Sequence, residues 1–465
     1  MLHYSALVLL GVATLVSAGA PSTAAAGFET ELRGLRQAVQ QWSSGAADPR
    51  SELPRAQAAM AKLEELQADA RFAALPEQSQ VATLDSCEFL ARTLGQHEQA
   101  VSYAKRVADS PLCQAQGDCF ASLASKVISR LRALGRPQEA SDYFQKAVAV
   151  TAPRSARGGA VGPLVQWTSE YQTPSWFLPS LRAQPWWEPD AMEPPALAQV
   201  RAVMAEHFTA MQSEVIRLAG RAGRIERDGG GAGPKLFELQ TDHDLVSAGS
   251  WTEYLLYDGG RWHEAHCDRL PTVCQVLSSL AAVAGTVEGA EEGGAPILSP
   301  GQVTILRMDP GTELGPHCGP RNSRLTAHLP LIVPPLAAGG SQVGVRVGEP
   351  VPEEEQGDDQ QWRVWEEGKV MIFVSLIMFV CCNQTQRHLL NLALACVLQD
   401  DSFEHEARWP EPAAAHHGTT ARYVLYASLW HPDLGEPTLP EARRWEKQKG
   451  GGRRKKGKAR KHSEL

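Results

Sequence analysis

The sequence lacks the patterns that mark several large classes of protein. Its nine cysteines include no doubled Cys-x-x-Cys pattern of a structural zinc site. No His-Glu-x-x-His spacing of a zinc hydrolase occurs. No basic face with interleaved aromatic residues precedes residue 441. The sequence therefore does not predict a zinc module, a zinc hydrolase or a nucleic-acid-binding surface.

Long hydrophobic runs are also scarce. The apolar run at residues 6–16 is short for a bilayer span, and Val-Ser-Ala at 16–18 has the small residues of a signal-peptidase site. Residues 1–18 are therefore predicted to be a signal peptide, with a signal anchor as the alternative.

The chain ends in His-Ser-Glu-Leu, which is similar to retention signals ending in Asp-Glu-Leu. We expect the endoplasmic reticulum lumen or the secretory pathway, and membrane attachment only through an uncleaved anchor.

The formal net charge of -8 conceals a basic C-terminal segment. Residues 441–465 are rich in Lys, Arg and Gly and cannot bury much apolar surface. They are predicted to form a disordered, solvated tail. No nucleic-acid partner is expected.

Residues 28–152 have the composition and the three- and four-residue apolar spacing of helices. The stretch "LARTLGQHEQAVSYAKRVA" matches "LRALGRPQEASDYFQKAVA" in its Leu-Gly turn and in the alanine that follows. Both resemble the second half of a tetratricopeptide repeat, with Ala100 and Ala140 at the close-packing position. The sequence is compatible with a tetratricopeptide-like array and equally with an ordinary helical bundle. The array would serve as a scaffold or a partner-binding surface.

Beyond a Gly/Arg-rich linker at 153–172 the pattern changes to short apolar runs separated by turns. One amphipathic helix is expected from about Pro195 to Arg224, and residues 250–440 predict an antiparallel sandwich or barrel. Two cysteine pairs, Cys113/Cys119 and Cys267/Cys274, are close enough in sequence to close small disulfide loops.

Two histidines, His317 and His405, stand at predicted strand ends. Imidazoles presented from strand ends suit an Fe(II) or Zn(II) site, because neutral imidazole binds either metal. The spacing alone is a weak signal, since the chain has fourteen histidines.

Six phrases follow one another within residues 173–440: "LRAQPWWEP", "GRWHEAHCDRLPTVC", "MDPGTELGPHCGPRNSRLTAHLPLIVP", "WEEGKVMIF", "DDSFEHEA" and "ARYVLYASLWHPDL". In these phrases and in their order, the region resembles the aspartyl/asparaginyl β-hydroxylases, which are Fe(II)- and 2-oxoglutarate-dependent oxygenases. The resemblance implies an α+β multidomain chain, in which an N-terminal α-helical, tetratricopeptide-like region precedes a double-stranded β-helix, a jelly-roll or cupin-like catalytic domain.

The resemblance also implies the roles of individual residues. His317 and His405 would be the catalytic iron ligands, with Gly319 where many oxygenases place a carboxylate ligand. Arg422 would hold the distal carboxylate of 2-oxoglutarate, and His328 would lie at the same cosubstrate site.

The sequence departs from the family pattern near the cosubstrate. Thr326 stands where a second arginine is expected, and Leu306 replaces a hydroxyl side chain. Arg324 or Arg321 is the candidate substitute for the missing arginine.

The implied activity uses Fe(II), O2 and 2-oxoglutarate to hydroxylate Asp, Asn or similar side chains of secretory-pathway proteins, with release of succinate and CO2. The partner would be a protein or peptide substrate, with EGF-like domains as one such class. The alternative is a catalytically silent luminal relative that binds partners through its helical region.

Residues 374–399 interrupt the phrase that would deliver the second iron ligand. This apolar stretch is cut by Asn-Gln-Thr-Gln-Arg-His, so a membrane span is not favoured. Its ends are compatible with splice sites in frame, and its removal joins "KVMIF" to "DDSFEHEA". We interpret it as a retained intron, with a genuine insertion as the alternative. Transcript sequencing across the junction distinguishes the two.

Overall fold

The computed structural model describes residues 23–43, 53–151, 162–189, 193–227, 236–239, 245–258, 260–282, 298–319, 321–336, 344–348, 362–373 and 403–434. The predictions for residues 1–18, 374–399 and 441–465 lie outside these described residues.

The described N-terminal part is helical, as its apolar spacing predicts. Its helices are α1 (Thr23–Ser43), α2 (Leu53–Ala68), α3 (Ala70–Ala73), α4 (Glu77–Thr93), α5 (His97–Ala108), α6 (Pro111–Gln114), α7 (Gly117–Ala133) and α8 (Pro137–Ala149).

The two matching sequence stretches form equivalent turns between helices. Gly95 joins α4 to α5 with φ +71°, and Gly135 joins α7 to α8 with φ +70°. Glycine adopts this left-handed conformation without a Cβ clash. A residue in this conformation ends one helix and reverses the chain. Ala100 and Ala140, one turn into each second helix, are both 0% exposed. A disulfide joins Cys113 on α6 to Cys119 in the first turn of α7, which confirms that predicted pairing.

The C-terminal part combines helices with two sheets. Its helices are α9 (Pro195–Glu206), α10 (Phe208–Arg227), α11 (Glu264–Cys267) and α12 (Pro271–Ala282). Its strands are β1 (Glu238–Leu239), β2 (Val246–Ala248), β3 (Trp251–Asp258), β4 (Arg261–Trp262), β5 (Leu298–Met308), β6 (Thr312–His317), β7 (Arg324–Ile332), β8 (Gly344–Val347), β9 (Trp362–Arg363), β10 (Met371–Phe373), β11 (His405–Trp409) and β12 (Arg422–Trp430).

Every pairing between the described strands is antiparallel, so the predicted antiparallel arrangement is confirmed and the chain is α+β. The large, seven-stranded sheet has the order β1-β3-β5-β12-β7-β10, with β4 beside β3. The small, five-stranded sheet has the order β2-β6-β11-β8-β9. Both sheets contribute to one hydrophobic core.

The central strands of the large sheet are buried on both faces. β7 and β12 are buried along their whole lengths. Leu325, Ala327 and Leu329 alternate with Thr326 and His328 on β7, because successive side chains of a strand point to opposite faces. One face is therefore apolar, and the other carries the polar residues of the candidate site.

Two predictions for this part need correction. The single helix expected from Pro195 to Arg224 is interrupted at His207, where the backbone has φ -99° and ψ 6° and leaves the regular helix. Helix α12 lies inside the region that was expected to consist of strands. Its apolar composition did not distinguish a buried helix from a strand. Its first amides, at Thr272 and Val273, donate hydrogen bonds to the buried Glu214 carboxylate.

The second predicted cysteine pair is also bridged, between Cys267 and Cys274, which confirms that prediction. Among the described residues, Cys87 and Cys318 are free thiols. None of the described helices combines the length and the apolar character needed to cross a membrane.

Candidate active site

Two strand ends bring His317 and His405 together. β6 ends at His317, β11 begins at His405, and the antiparallel register makes these residues direct partners. Their ring centroids are 4.1 Å apart with planes inclined by 59°. Both side chains are buried. The sequence placed these histidines at strand ends, and the register of the small sheet makes them neighbours.

Backbone carbonyls orient both imidazole rings. His317 Nδ1 lies 2.6 Å from the Gly315 carbonyl oxygen, and His405 Nδ1 lies 3.0 Å from that of Phe403. A carbonyl only accepts, so Nδ1 carries the proton in each neutral ring and Nε2 carries a lone pair. His317 Nε2 is buried and has no hydrogen-bond partner among the described residues. This arrangement is typical of metal-ligating histidines, whose second nitrogen is held by a backbone or carboxylate acceptor.

Burial keeps both rings neutral. It lowers the pKa of His405 to about 4, although the Phe403 carbonyl opposes the shift. Burial, and then the positive charge of a protonated His405, lowers the pKa of His317 well below its ordinary value. At neutral pH both rings therefore offer lone pairs to a metal.

A small, partly open cavity adjoins the two histidines. It lies between the sheets, since Leu306, His328 and Arg422 line it from the large sheet. Leu314, Val345 and Ala407 line it from the small sheet, and Trp251 and Trp365 complete the wall.

Arg422 is the cation of this cavity. Its side chain is 2% exposed, and its guanidinium carbon lies 3.5 Å from the centroid of the Trp365 ring. Its Nε and Nη1 atoms have no hydrogen-bond partner within the described residues. Burial lowers the pKa of Arg422, so an anionic partner would stabilise its charged form. A carboxylate fits this planar pair of donors.

His328 lies beside Arg422 on the cavity wall. It is opposite Tyr426 on β12, with ring centroids 5.7 Å apart. Burial, and then the charges of Arg422 and a protonated His405, lowers the pKa of His328 well below its ordinary value. The structure therefore brings His317, His405, His328 and Arg422 together.

The proposed substitute Arg324 does not line this cavity. It shares a strand face with His328 but packs over Gly301, where an added Cβ would lie 2.6 Å from Arg324 Nη1. Gly301 is five positions before Leu306 on β5, or about 16 Å along the strand. Thr326 does not line the cavity either, and its hydroxyl donates to the Tyr426 hydroxyl oxygen at 3.3 Å.

The helical region contacts Glu404, which is the residue before His405. Arg132, on α7, donates to the Glu404 carboxylate at 2.6 Å and to the Glu170 carboxylate at 2.7 Å. The Glu404 amide donates to the Tyr171 carbonyl oxygen at 2.7 Å. The Arg132 and Glu404 side chains are 7% and 1% exposed, so this ion pair is buried.

A second contact from the helical region supports Cys318, which is the residue after His317. The hydroxyl oxygens of Ser125 on α7 and Thr173 are 3.1 Å apart, and the Thr173 hydroxyl donates to Cys318 Sγ at 3.3 Å. Burial raises the pKa of the Cys318 thiol to about 11, so it remains protonated. Sequence reasoning missed the roles of Arg132 and Trp365. Trp365 lay in one of the six quoted phrases, whereas no local signal identified Arg132.

Comparison with known proteins agrees with the phrases noted in the sequence. Residues 206–394 match the family model described as aspartyl/asparaginyl beta-hydroxylase. This range includes His317 and His328 and ends before His405 and Arg422.

Curated relatives carry similar names. The aspartyl/asparaginyl beta-hydroxylase of Mus musculus is 26% identical over 280 residues, which is 59% of this chain and 26% of the relative. The Homo sapiens protein of that name is 26% identical over 279 residues, with the same coverage. Aspartate beta-hydroxylase domain-containing protein 1 of Mus musculus is 26% identical over 185 residues, 39% of this chain and 34% of the relative. This chain thus spans about a quarter of the first two relatives. By its family-model match over residues 206–394 and by these relatives, the chain is similar to the aspartyl/asparaginyl β-hydroxylases.

Proposed function

We propose that the chain is an Fe(II)- and 2-oxoglutarate-dependent dioxygenase that hydroxylates Asp, Asn or similar side chains of proteins. The observation that carries this proposal is one cavity in which the His317/His405 pair adjoins Arg422. The donor set fits the proposed groups, because neutral imidazoles ligate Fe(II) and a buried guanidinium binds a carboxylate. The two sheets with this cavity between them are proposed to be the double-stranded β-helix of the family.

The proposed roles follow from the position of each side chain. His317 and His405 would hold Fe(II) through Nε2, since their Nδ1 atoms are hydrogen-bonded to carbonyl groups. Arg422 would bind the distal carboxylate of 2-oxoglutarate, and His328 would contact the cosubstrate from the same wall. Arg324 would contribute positive charge from farther along the strand. Bound iron would supply the oxidising chemistry that couples decarboxylation of 2-oxoglutarate to hydroxylation of the substrate.

The chain's own residues would orient the reactants and exclude water. Trp365 stacks on Arg422, which limits the conformations of its long side chain. The side chains of Leu306 and Leu314 on the cavity wall offer no hydrogen bonds to water. Both effects favour productive alignment.

We also propose a protein or peptide substrate in the secretory pathway, with EGF-like domains as one candidate class. The two disulfides are compatible with an oxidising compartment. The names of the curated relatives support Asp or Asn as the modified residue. The helices of residues 28–152 are proposed to be a tetratricopeptide-like surface for partners.

Succinate formation from 2-oxoglutarate tests the activity. The wild-type chain with Fe(II), O2 and an EGF-like peptide should release succinate and add one oxygen atom to an Asp or Asn of the peptide. His405→Ala should release none. The control is His97→Ala, because His97 is exposed on α5 and does not line the cavity. Equal turnover by wild type and His405→Ala would contradict the proposal.

A catalytically silent binding protein is the second candidate. The observation in its favour is that Thr326 supplies no guanidinium and Arg324 packs over Gly301 instead of lining the cavity. A silent relative would release no succinate with iron, 2-oxoglutarate and peptide. It would still bind partners through the helical region.

A further inference from the structure

A second cluster of metal-ligating side chains lies outside the cavity. Among the described residues, one group of three such side chains has its ligand atoms within 4.8 Å of one another: Glu367, His416 and His417. Glu367 follows the segment that carries Trp365, whereas the two histidines lie in the connection between β11 and β12. The cluster is independent of the candidate iron ligands.

The carboxylate of this cluster is already held in position. Glu367 Oε1 accepts the Val333 amide at 2.8 Å, and Oε2 accepts the Gln212 side-chain amide at 3.1 Å. A carboxylate has about four lone-pair positions, so these contacts leave acceptor capacity. His416 Nε2 lies 3.1 Å from Glu367 Oε1. Hydrogen bonds that fix a ligating carboxylate before binding are typical of metal sites.

A tight hairpin presents the two imidazoles. The His416 amide donates to the Thr419 carbonyl at 2.8 Å, and the Thr419 amide donates back at 3.1 Å. The two central residues, His417 and Gly418, have φ of +50° and +78°. This is the geometry of a two-residue turn that favours Asn-Gly, yet a histidine occupies its first central position. The ring centroids of His416 and His417 are 4.0 Å apart.

We propose that Glu367, His416 and His417 form a second metal site, which binds Zn²⁺ with water as a fourth ligand. Two imidazoles and one carboxylate are a common zinc donor set, and the partly exposed position of the three side chains leaves room for water. The ion replaces the proton between His416 Nε2 and Glu367. It then ties the connection between His405 and Arg422 to the turn that follows Trp365.

Zinc binding by the full chain tests the site. The variant pair His416→Gln and His417→Asn removes both imidazoles, and Asn suits the positive φ at position 417. Equilibrium dialysis should show one Zn²⁺ fewer per chain than in wild type. Glu367→Gln keeps an acceptor for the Val333 amide and should weaken Zn²⁺ binding by at least about tenfold. Zn²⁺ should also raise the Tm of wild type more than that of the double variant.

Two controls separate this site from the candidate iron site. His97→Ala should bind Zn²⁺ as wild type does. In the absence of iron, a second Zn²⁺ is expected at His317 and His405. His405→Ala should lose that ion but keep the one at the hairpin, so failure of the proposed function would leave the hairpin result intact. The same Zn²⁺ stoichiometry and affinity in the double variant and wild type would overturn the proposal.

Discussion

Removal of the Arg132 guanidinium is predicted to destabilise the contact between the helical region and the candidate active site. In Arg132→Met the side-chain stem remains, but the Glu404 carboxylate loses the group that it contacts at 2.6 Å. The two side chains are 7% and 1% exposed, so water cannot readily replace the lost contact. Loss of one partner from a buried ion pair costs about 3–5 kcal/mol. We expect a fall of this size in the free energy of unfolding.

The same substitution should weaken metal binding. Glu404 precedes His405, and its backbone amide is fixed by the Tyr171 carbonyl oxygen. Movement of this segment would displace the imidazole from the position set by the Phe403 carbonyl. Loss of a supporting contact around a metal ligand typically costs 10- to 100-fold in affinity, so we expect an Fe(II) Kd higher by about that factor.

Urea denaturation and anaerobic Fe(II) titration measure the two effects. Arg136→Met is the matched control, because Arg136 also pairs with carboxylates but on the exposed surface. It should change neither quantity substantially, since exposed ion pairs contribute little. A double-mutant cycle of Arg132→Met with Glu404→Gln should show coupling of more than about 0.5 kcal/mol. Additive effects together with an unchanged Fe(II) Kd would refute the reasoning.

Four further predictions concern the cavity, buried imidazoles, helix packing and the interruption. Arg422→Lys keeps the charge but loses the planar fork, so the Kd for 2-oxoglutarate measured by calorimetry should rise at least about tenfold. Burial lowers the pKa of His405 and of His431 to about 4, so the stability that they contribute is present above the unfolded value of about 6.5 and is lost as pH falls toward 4. Urea denaturation of the metal-free chain at pH 5 should show a loss of about 2 kcal/mol for each. Ala140→Leu overpacks a position that is 0% exposed and should lower the urea midpoint, at a cost of about 1–3 kcal/mol. Deletion of residues 374–399 should leave a folded chain that binds Fe(II) at least as tightly, whereas loss of folding would contradict the retained-intron hypothesis.

Local patterns predicted much of the secondary structure. The Leu-Gly turns at Gly95 and Gly135 could be read from the sequence because a positive φ favours glycine at those positions. The short loops between paired cysteines likewise predicted both disulfides. Helix α12 was missed because a short apolar segment suits a buried helix as well as a strand.

The sequence by itself showed a resemblance to the aspartyl/asparaginyl β-hydroxylases, through ordered phrases, and identified the histidines at two strand ends. Only the tertiary structure showed that His317 and His405 are direct partners in one sheet, and that Arg132 reaches Glu404 across 272 positions of the chain. It also showed that Arg324 packs over Gly301 and does not line the cavity. Turns and helices depend on neighbouring residues, whereas these contacts depend on strand register and on how distant surfaces pack.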